Sequence, residues 1–143
     1  MNKPLCYAPF YVSCIKNNKH KPCCVYDGYF PIKNNRFWSD EEIRNIRLDL
    51  LSGRFPKGCN NCKVKYDKNK KSKLDEYNDY FEKNLKDKIS INVETGNQEK
   101  EPFEIDFRYS NKCNLKCRMC NPASSNLIAK EVLENKELQN FPK

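Results

Sequence analysis

The stretch 103-FEIDFRYSNKCNLKCRMC-120 determines how this chain of 143 residues is interpreted. Apolar and polar side chains alternate over its first seven residues, which predicts a β-strand at 103–109. The apolar members of that strand are Phe103, Ile105, Phe107 and Tyr109. Three cysteines follow with the spacing C-x3-C-x2-C, and they are Cys113, Cys117 and Cys120. Helical periodicity over 123–138, opened by Pro122, completes a predicted strand, cysteine loop and helix in direct succession.

The composition favours a small fold held by metal. Nine cysteines occur in a chain with 38% hydrophobic residues and a mean hydropathy of −0.95. Small folds with modest cores are commonly stabilised by disulfides or metal, and the odd cysteine count argues against full pairing. The N-terminal residues lack the pattern of a secretory signal, and no apolar run could cross a membrane. These features predict a cytoplasmic protein with reduced thiols.

The preceding residues predict an α+β fold. A β-hairpin is expected over 9–30, with its turn at Asn17 and Asn18, and His20 at its surface. Ser39 and Glu42 form a capping-box pattern at the start of a helix that ends near Gly53. A second helix is predicted over 72–89, and the polar segment 92–102 is interpreted as a linker.

Three thiolates suit a particular kind of metal centre. Structural zinc sites usually close with four protein ligands, whereas a [4Fe–4S] cluster held by three cysteines keeps one iron open. A strand, a cysteine loop and a helix would form the first βα unit of a parallel barrel. Zinc remains the alternative metal for this loop.

With this context, YSNKCNLKCRMC at 109–120 resembles the signature loop of the radical SAM superfamily. The resemblance implies that Cys113, Cys117 and Cys120 hold a [4Fe–4S] cluster and that S-adenosylmethionine binds the fourth iron. It also places Met119 near the adenine of the cofactor. In that family the reduced cluster cleaves S-adenosylmethionine, and the 5′-deoxyadenosyl radical abstracts a hydrogen atom from the substrate.

The N-terminal cysteines are similar to those of the twitch and SPASM domains found in many radical SAM enzymes. That resemblance implies an auxiliary iron–sulfur cluster on four cysteines, which are Cys6, Cys23, Cys59 and Cys62. Asn18 stands where the family has glycine, and Cys24 is an alternative to Cys23. A zinc ribbon with the same four ligands remains open. Cys14 is interpreted as a small buried hydrophobe.

The resemblance implies three regions: a twitch-like domain at 1–91, the linker at 92–102, and the start of a radical SAM core at 103–143. The core stops after one βα unit, so catalysis by this chain alone is in doubt, and a longer protein or a second chain is expected to complete it. The family suggests a peptide or protein substrate, and an electron donor such as a flavodoxin or ferredoxin.

The chain has a net charge of +8, and much of the excess positive charge lies in KVKYDKNKKSK at 63–73. We interpret this stretch as a solvated helix start or linker rather than a nucleic-acid site, since no aromatic ladder accompanies the lysines. An acidic segment of a peptide substrate is a further candidate partner. The competing functional class is a non-catalytic module that binds zinc or a cluster.

Overall fold

The computed structural model describes most of the chain, namely residues 4–85, 90–108, 110–113, 115, 117 and 120–135. The chain divides into two compact units, Met1–Phe107 and Arg108–Lys143. The described residues form a mixed α+β fold with a small sheet, as the sequence predicted. No helix in these described ranges is long and apolar enough to cross a membrane.

Helices and strands alternate irregularly along the chain. The helices are α1 (Ala8–Tyr11), α2 (Glu41–Leu51), α3 (Asn60–Tyr66), α4 (Lys73–Leu85) and α5 (Asn126–Glu134). The strands are β1 (Val12–Lys16), β2 (Lys19–Lys21), β3 (Phe30–Pro31) and β4 (Glu104–Arg108). Two short 3₁₀ turns lie at Phe37–Ser39 and Lys57–Cys59. The predicted strand before the cysteine loop is therefore present as β4.

The predicted hairpin is present but shorter than expected. β1 and β2 pair antiparallel, with Ile15 opposite His20, in a sheet of order β3-β2-β1-β4. Asn17 and Asn18 make the turn with φ angles of 49° and 56°, the left-handed region that asparagine tolerates. Residues 9–11, expected as strand, belong to the helical turn α1 because Pro9 favours a first helical turn.

The helix ends differ from the predicted signals in detail. Helix α2 begins after Asp40, and no side chain caps it, because Ser39 is held in the preceding turn by its N–H bond to the Arg36 carbonyl at 2.8 Å. The capping box was therefore wrong, whereas the stop at Gly53 is confirmed by its φ of +76°. Helix α5 starts after Ser125 rather than at Pro122. The predicted helical residues 86–89 and 136–138 lie outside the described residues.

Two apolar clusters form the core of the first unit. One contains Tyr7, Phe10, Tyr11, Val12, Cys14 and Phe81. The other contains Ala8, Cys23, Tyr26, Ile43, Ile46 and Leu50. Helix α2 thus buries the stripe that its periodicity predicted, and Cys14 is buried as expected. Both clusters contain residues of α1, so this short turn joins the two halves of the core.

A buried arginine on α2 joins distant parts of the first unit. Arg47 donates from Nε to the Pro9 carbonyl at 2.9 Å and from Nη1 to the Gly96 carbonyl at 3.3 Å. Its guanidinium lies 4.4 Å from the Trp38 ring centre, and burial lowers the Arg47 pKa to about 9. Because cationic side chains are rarely fully buried, the apolar stripe gave no signal for this role.

The predicted linker is packed into the first unit. Gln98 is buried and donates from Nε2 to the Phe10 carbonyl at 2.7 Å. Trp38 donates from Nε1 to the Lys100 carbonyl at 3.0 Å. These contacts, together with the Arg47 bond to Gly96, hold residues 96–100 within the first unit.

His20 is buried, so the predicted surface position was wrong. Its ring packs against the Phe30 and Phe37 rings, with centre-to-centre distances of 5.9 and 4.9 Å. Neither ring nitrogen has a hydrogen-bond partner among the described residues. Burial lowers the His20 pKa, while the nearby carboxylates Asp40 and Glu42 act in the opposite direction.

We expect His20 to destabilise the protein in mild acid. Its folded-state pKa is lowered from 6.5, so the unfolded chain takes up the proton first as the pH falls. Stability is fully present above about pH 6.5 and decreases below it. Urea unfolding followed by Trp38 fluorescence at several pH values tests this. In His20→Leu the decrease in stability below about pH 6.5 should disappear. If stability still depends on pH as in the wild type, the decrease does not come from His20.

Candidate functional site

Four cysteines from separate parts of the first unit line one cavity. Cys6 precedes α1, Cys23 follows β2, Cys59 ends a 3₁₀ turn, and Cys62 lies in α3. These are the four residues that the sequence grouped as ligands of an auxiliary centre. Their ligand role stays a prediction, but the fold brings all four to the same place.

Local turns place Cys59 and Cys62 at this cavity. The Cys59 N–H bonds to the Pro56 carbonyl at 2.9 Å, and the chain then enters α3. Residues three apart in a helical turn share a face, so both thiols point the same way. The position before Cys59 requires glycine, Gly58, because a Cβ there would lie 2.2 Å from the Tyr26 ring.

The cavity is small and mostly apolar. Besides the thiols, it is lined by Ala8, Pro9, Val25, Leu50, Phe55 and Leu74, among others. It leaves about 20 Å³ for the centre of a water-sized sphere. A single water needs about 10–15 Å³ by this measure, so the space suits one small ion or one or two waters.

The thiols resist ionisation in this environment. Burial raises the pKa of Cys23 to about 11 and of Cys59 to about 12, and it raises the pKa of Cys6 further. Negative charge on the neighbouring cysteines adds to the effect in each case. Ionised thiols here would therefore need a cation, and metal binding would release protons.

The donor chemistry fits a metal, although the arrangement is not that of a bound site. Within the described ranges, no group of three or more cysteine, histidine, aspartate or glutamate side chains is positioned to hold a metal ion. The four thiols nevertheless share one cavity, and four thiolates are a ligand set for zinc or for an iron–sulfur cluster. The four thiols therefore suit either group as donor atoms, although they are not positioned around a common ion.

The structure separates the two adjacent cysteines that the sequence could not distinguish. Cys23 lines the cavity, whereas Cys24 is not among its lining residues. The Cys24 sulfur lies 3.5 Å from the Tyr77 hydroxyl and makes a hydrogen bond with it. Cys14 is buried in the other core cluster. The geometry therefore groups Cys23, and not Cys24 or Cys14, with the remaining thiols.

The three-cysteine loop lies in the second unit, immediately before α5. Cys113 and Cys120 are half-buried, and Cys117 is exposed. The Cys120 N–H donates to the Cys117 carbonyl at 3.0 Å. Met119, predicted to lie near the adenine, falls outside the described residues.

Two residues at the start of α5 anchor this loop. The Cys113 N–H donates to Asn126 Oδ1 at 3.0 Å, and the Asn126 N–H donates to the Asn111 carbonyl at 2.8 Å. Buried Ser125 donates from Oγ to the Leu115 carbonyl at 3.3 Å and caps α5 by accepting from the Ile128 N–H. The sequence reading missed both anchors, although a serine before an apolar helical run signals an N-cap.

The basic stretch 63–73 is not a single helix. It comprises the end of α3, an exposed turn, and the first residue of α4. Lys73 at its end lines the cysteine cavity and forms an ion pair with Glu76. The predicted solvated character is correct for 63–71, where every residue is exposed.

Three comparisons were made, with protein-family models, with curated proteins and with solved structures. None of the three gave a match.

Proposed function

We propose that this chain belongs to an iron–sulfur protein that cleaves S-adenosylmethionine reductively. The observation that supports the proposal best is the position of Cys113, Cys117 and Cys120 on a loop between strand β4 and helix α5. Three thiolates on one loop leave the fourth coordination position of the metal centre open for a non-protein ligand. A structural zinc site is closed by four protein ligands and has no such open position.

The residues of the loop would hold and orient the iron–sulfur centre. Hydrogen bonds to Asn126 fix the backbone at Cys113 and Asn111, and Ser125 fixes it at Leu115. These bonds hold the ligand-bearing backbone against the first turn of α5, which favours a preformed site. When bound, the cluster and S-adenosylmethionine would supply the electron transfer and the radical that attacks the substrate.

Along the chain, strand β4, the three-cysteine loop and helix α5 follow one another in the order that this proposal requires. A peptide or protein is the substrate class we propose.

The four-cysteine cavity is proposed as an auxiliary metal centre. Its thiols suit either an iron–sulfur cluster or zinc, but its present volume of about 20 Å³ suits one ion better than a cube of eight atoms. That observation favours a second candidate function, a non-catalytic zinc module, for the first unit. The two candidates differ in metal content and in their response to S-adenosylmethionine.

Anaerobic reconstitution tests the proposal. About eight irons per chain would indicate two cubic clusters, and about four irons with one zinc would indicate a zinc first unit. In either case, the EPR spectrum of the reduced protein should change when S-adenosylmethionine is added. About two zincs without iron would support the zinc module and end the radical SAM proposal.

Cys113→Ala should abolish the spectral response to S-adenosylmethionine, because it removes one of three ligands from the open centre. The matched control is Cys14→Ala, which removes a thiol that is buried away from the four-cysteine cavity and lies outside the loop. This control should keep the response. A response that survives in Cys113→Ala would show that the loop does not hold the centre.

A further inference from the structure

Among the residues that the structure describes, one cationic side chain lines the four-cysteine cavity. It belongs to Lys73, the first residue of helix α4. The rest of the described lining consists of the four thiols, several hydrocarbon side chains, and the rings of Tyr26 and Tyr77. Lys73 is therefore the one positive charge that this described lining brings to the thiols.

The backbone on both sides of Lys73 is held in place. Ser72 before it is buried, and its N–H and Oγ donate to Asp75 Oδ2 at 2.7 and 2.9 Å. Leu74 after it is buried and lines the same cavity. The Lys73 ammonium lies 5.6 Å from the ring centre of Tyr77, about one helical turn further along α4. The base of the side chain is thus fixed, while its flexible four-carbon stem allows the ammonium to move.

The Lys73 ammonium has a partner that it can leave. It forms an ion pair with the Glu76 carboxylate in the first turn of α4. The side chains of Lys73 and Glu76 are 38% and 65% exposed. An exposed pair of this kind contributes little to stability, because water solvates both charges when the pair separates. Exchanging Glu76 for another anion would therefore cost little free energy.

A metal ion in the cavity would create a second anion within the same lining. Four thiolates, each of charge −1, around an ion of charge +2 leave a net charge of −2. Burial and the neighbouring cysteines oppose ionisation of these thiols, as the raised pKa of Cys23 and of Cys59 shows. An opposite charge placed close to such groups favours their charged form. A cation at the wall of the cavity would therefore make metal binding more favourable.

We propose that Lys73 supplies a counter-charge to the four-cysteine metal centre and that Glu76 competes for the same ammonium. When a metal ion binds, the ammonium turns from the Glu76 carboxylate toward the thiolates. Lys73 acts through the cysteine ligands and does not bind the metal itself, so it is a positioning residue. The inference rests on the auxiliary metal centre proposed above.

Zinc binding by the full chain at low salt, measured by competition with a coloured chelator, tests the proposal. The binding step that Cys23→Ser removes is the one to follow, because it belongs to this cavity and not to the three-cysteine loop. In that step, Lys73→Gln should weaken zinc affinity by about tenfold, the lower end of the effect of losing an outer partner. Lys73→Arg keeps the positive charge and should restore most of the affinity.

Glu76→Gln should change zinc affinity in the opposite direction. It removes the competitor for the ammonium, so affinity should rise by about two- to fivefold, the strength of an exposed ion pair. A pair that only held α4 in place would shift both variants in the same direction. The difference between Lys73→Gln and the wild type should also shrink at about 1 M salt, where exposed charges are screened over about 3 Å.

Lys63 and Asp67 provide the matched control. They form an exposed ion pair at 2.7 Å near the end of α3, and neither of them lines the cavity. Lys63→Gln and Asp67→Asn make the same changes in net charge and should leave zinc affinity nearly unchanged. An effect of Lys73→Gln no larger than that of Lys63→Gln would overturn the proposal, and so would weaker zinc binding in Glu76→Gln.

The outcomes separate this inference from the proposed metal centre. Zinc binding that depends on Cys23 but not on Lys73 would overturn the counter-charge alone. If no zinc-binding step depends on Cys23, the auxiliary centre itself is wrong, and the counter-charge with it. Urea unfolding of the metal-free chains should give nearly the same stability for the wild type, Lys73→Gln and Glu76→Gln, since the pair is exposed. If Lys73→Gln also unfolds more easily, the direction of the affinity change in Glu76→Gln decides.

Discussion

Cys23→Ser should remove tight metal binding from the four-cysteine cavity, whereas Cys24→Ser should leave it unchanged. Cys23 lines the cavity with Cys6, Cys59 and Cys62, and Cys24 bonds to Tyr77 instead. We expect the loss of one thiolate to weaken binding by at least about 100-fold, since loss of an outer partner alone costs about 10- to 100-fold. Competition with a chelator, with metal counted per chain, measures this.

Cys24→Ser is the matched control for Cys23→Ser. Cys24→Ser keeps a hydroxyl that can bond to Tyr77, so the core around it should be preserved. Metal loss should also lower the melting temperature of the wild type, because binding and folding of such sites are coupled. If Cys24→Ser loses metal and Cys23→Ser retains it, the cavity is not the metal centre.

Gly96→Ala should destabilise the first unit strongly. Gly96 has a φ of +69°, and a Cβ there would lie 2.4 Å from the Arg44 carbonyl oxygen. The left-handed conformation costs alanine about 1–2 kcal/mol, and relief of the backbone clash adds about 1–3 kcal/mol. We therefore expect a loss of about 2–5 kcal/mol in the free energy of unfolding, measured by urea denaturation.

Gly53→Ala separates the two contributions. Gly53 has a similar φ of +76°, but a Cβ there would meet nothing within 4 Å. This variant should lose only about 1–2 kcal/mol. Equal losses in the two variants would mean that the close approach of the segment around Gly96 to α2 does not contribute to stability.

Local signals allowed much of the secondary structure to be predicted. The asparagine pair gave the hairpin turn, the spacing of Ile43, Ile46 and Leu50 gave α2, and the alternation at 103–109 gave β4. Each of these depends on neighbours within a few residues, which a sequence displays directly. The capping box failed because Ser39 had a competing local turn.

Long-range contacts could not be predicted in this way. The burial of His20 depends on Phe30 and Phe37, and that of Arg47 depends on carbonyls 38 and 49 residues away. A polar segment such as 92–102 resembles a linker until its partners are known. In the fold, the Lys100 carbonyl accepts a hydrogen bond from Trp38, and the Gly96 carbonyl accepts one from Arg47. The side-chain amide of Gln98 donates to the Phe10 carbonyl.

Cysteine spacing predicted which residues gather at the first candidate site, but not how they reach it. The choice between Cys23 and Cys24 depends on the turn after β2, where adjacent side chains point apart. For the loop at 110–120, the three cysteines were evident, while the anchoring by Ser125 and Asn126 depends on hydrogen bonds that spacing does not display.

Strand β4 has a practical consequence for work with this chain. It is the last strand in the order of the described sheet. Ile105 and Phe107 on it are 51% and 61% exposed, and Phe103 just before it is 62% exposed. A terminal strand with an apolar side is a template for pairing with other chains. We therefore expect concentrated preparations of these 143 residues to self-associate. Additives or a co-expressed binding partner that cover this strand should keep the protein dispersed.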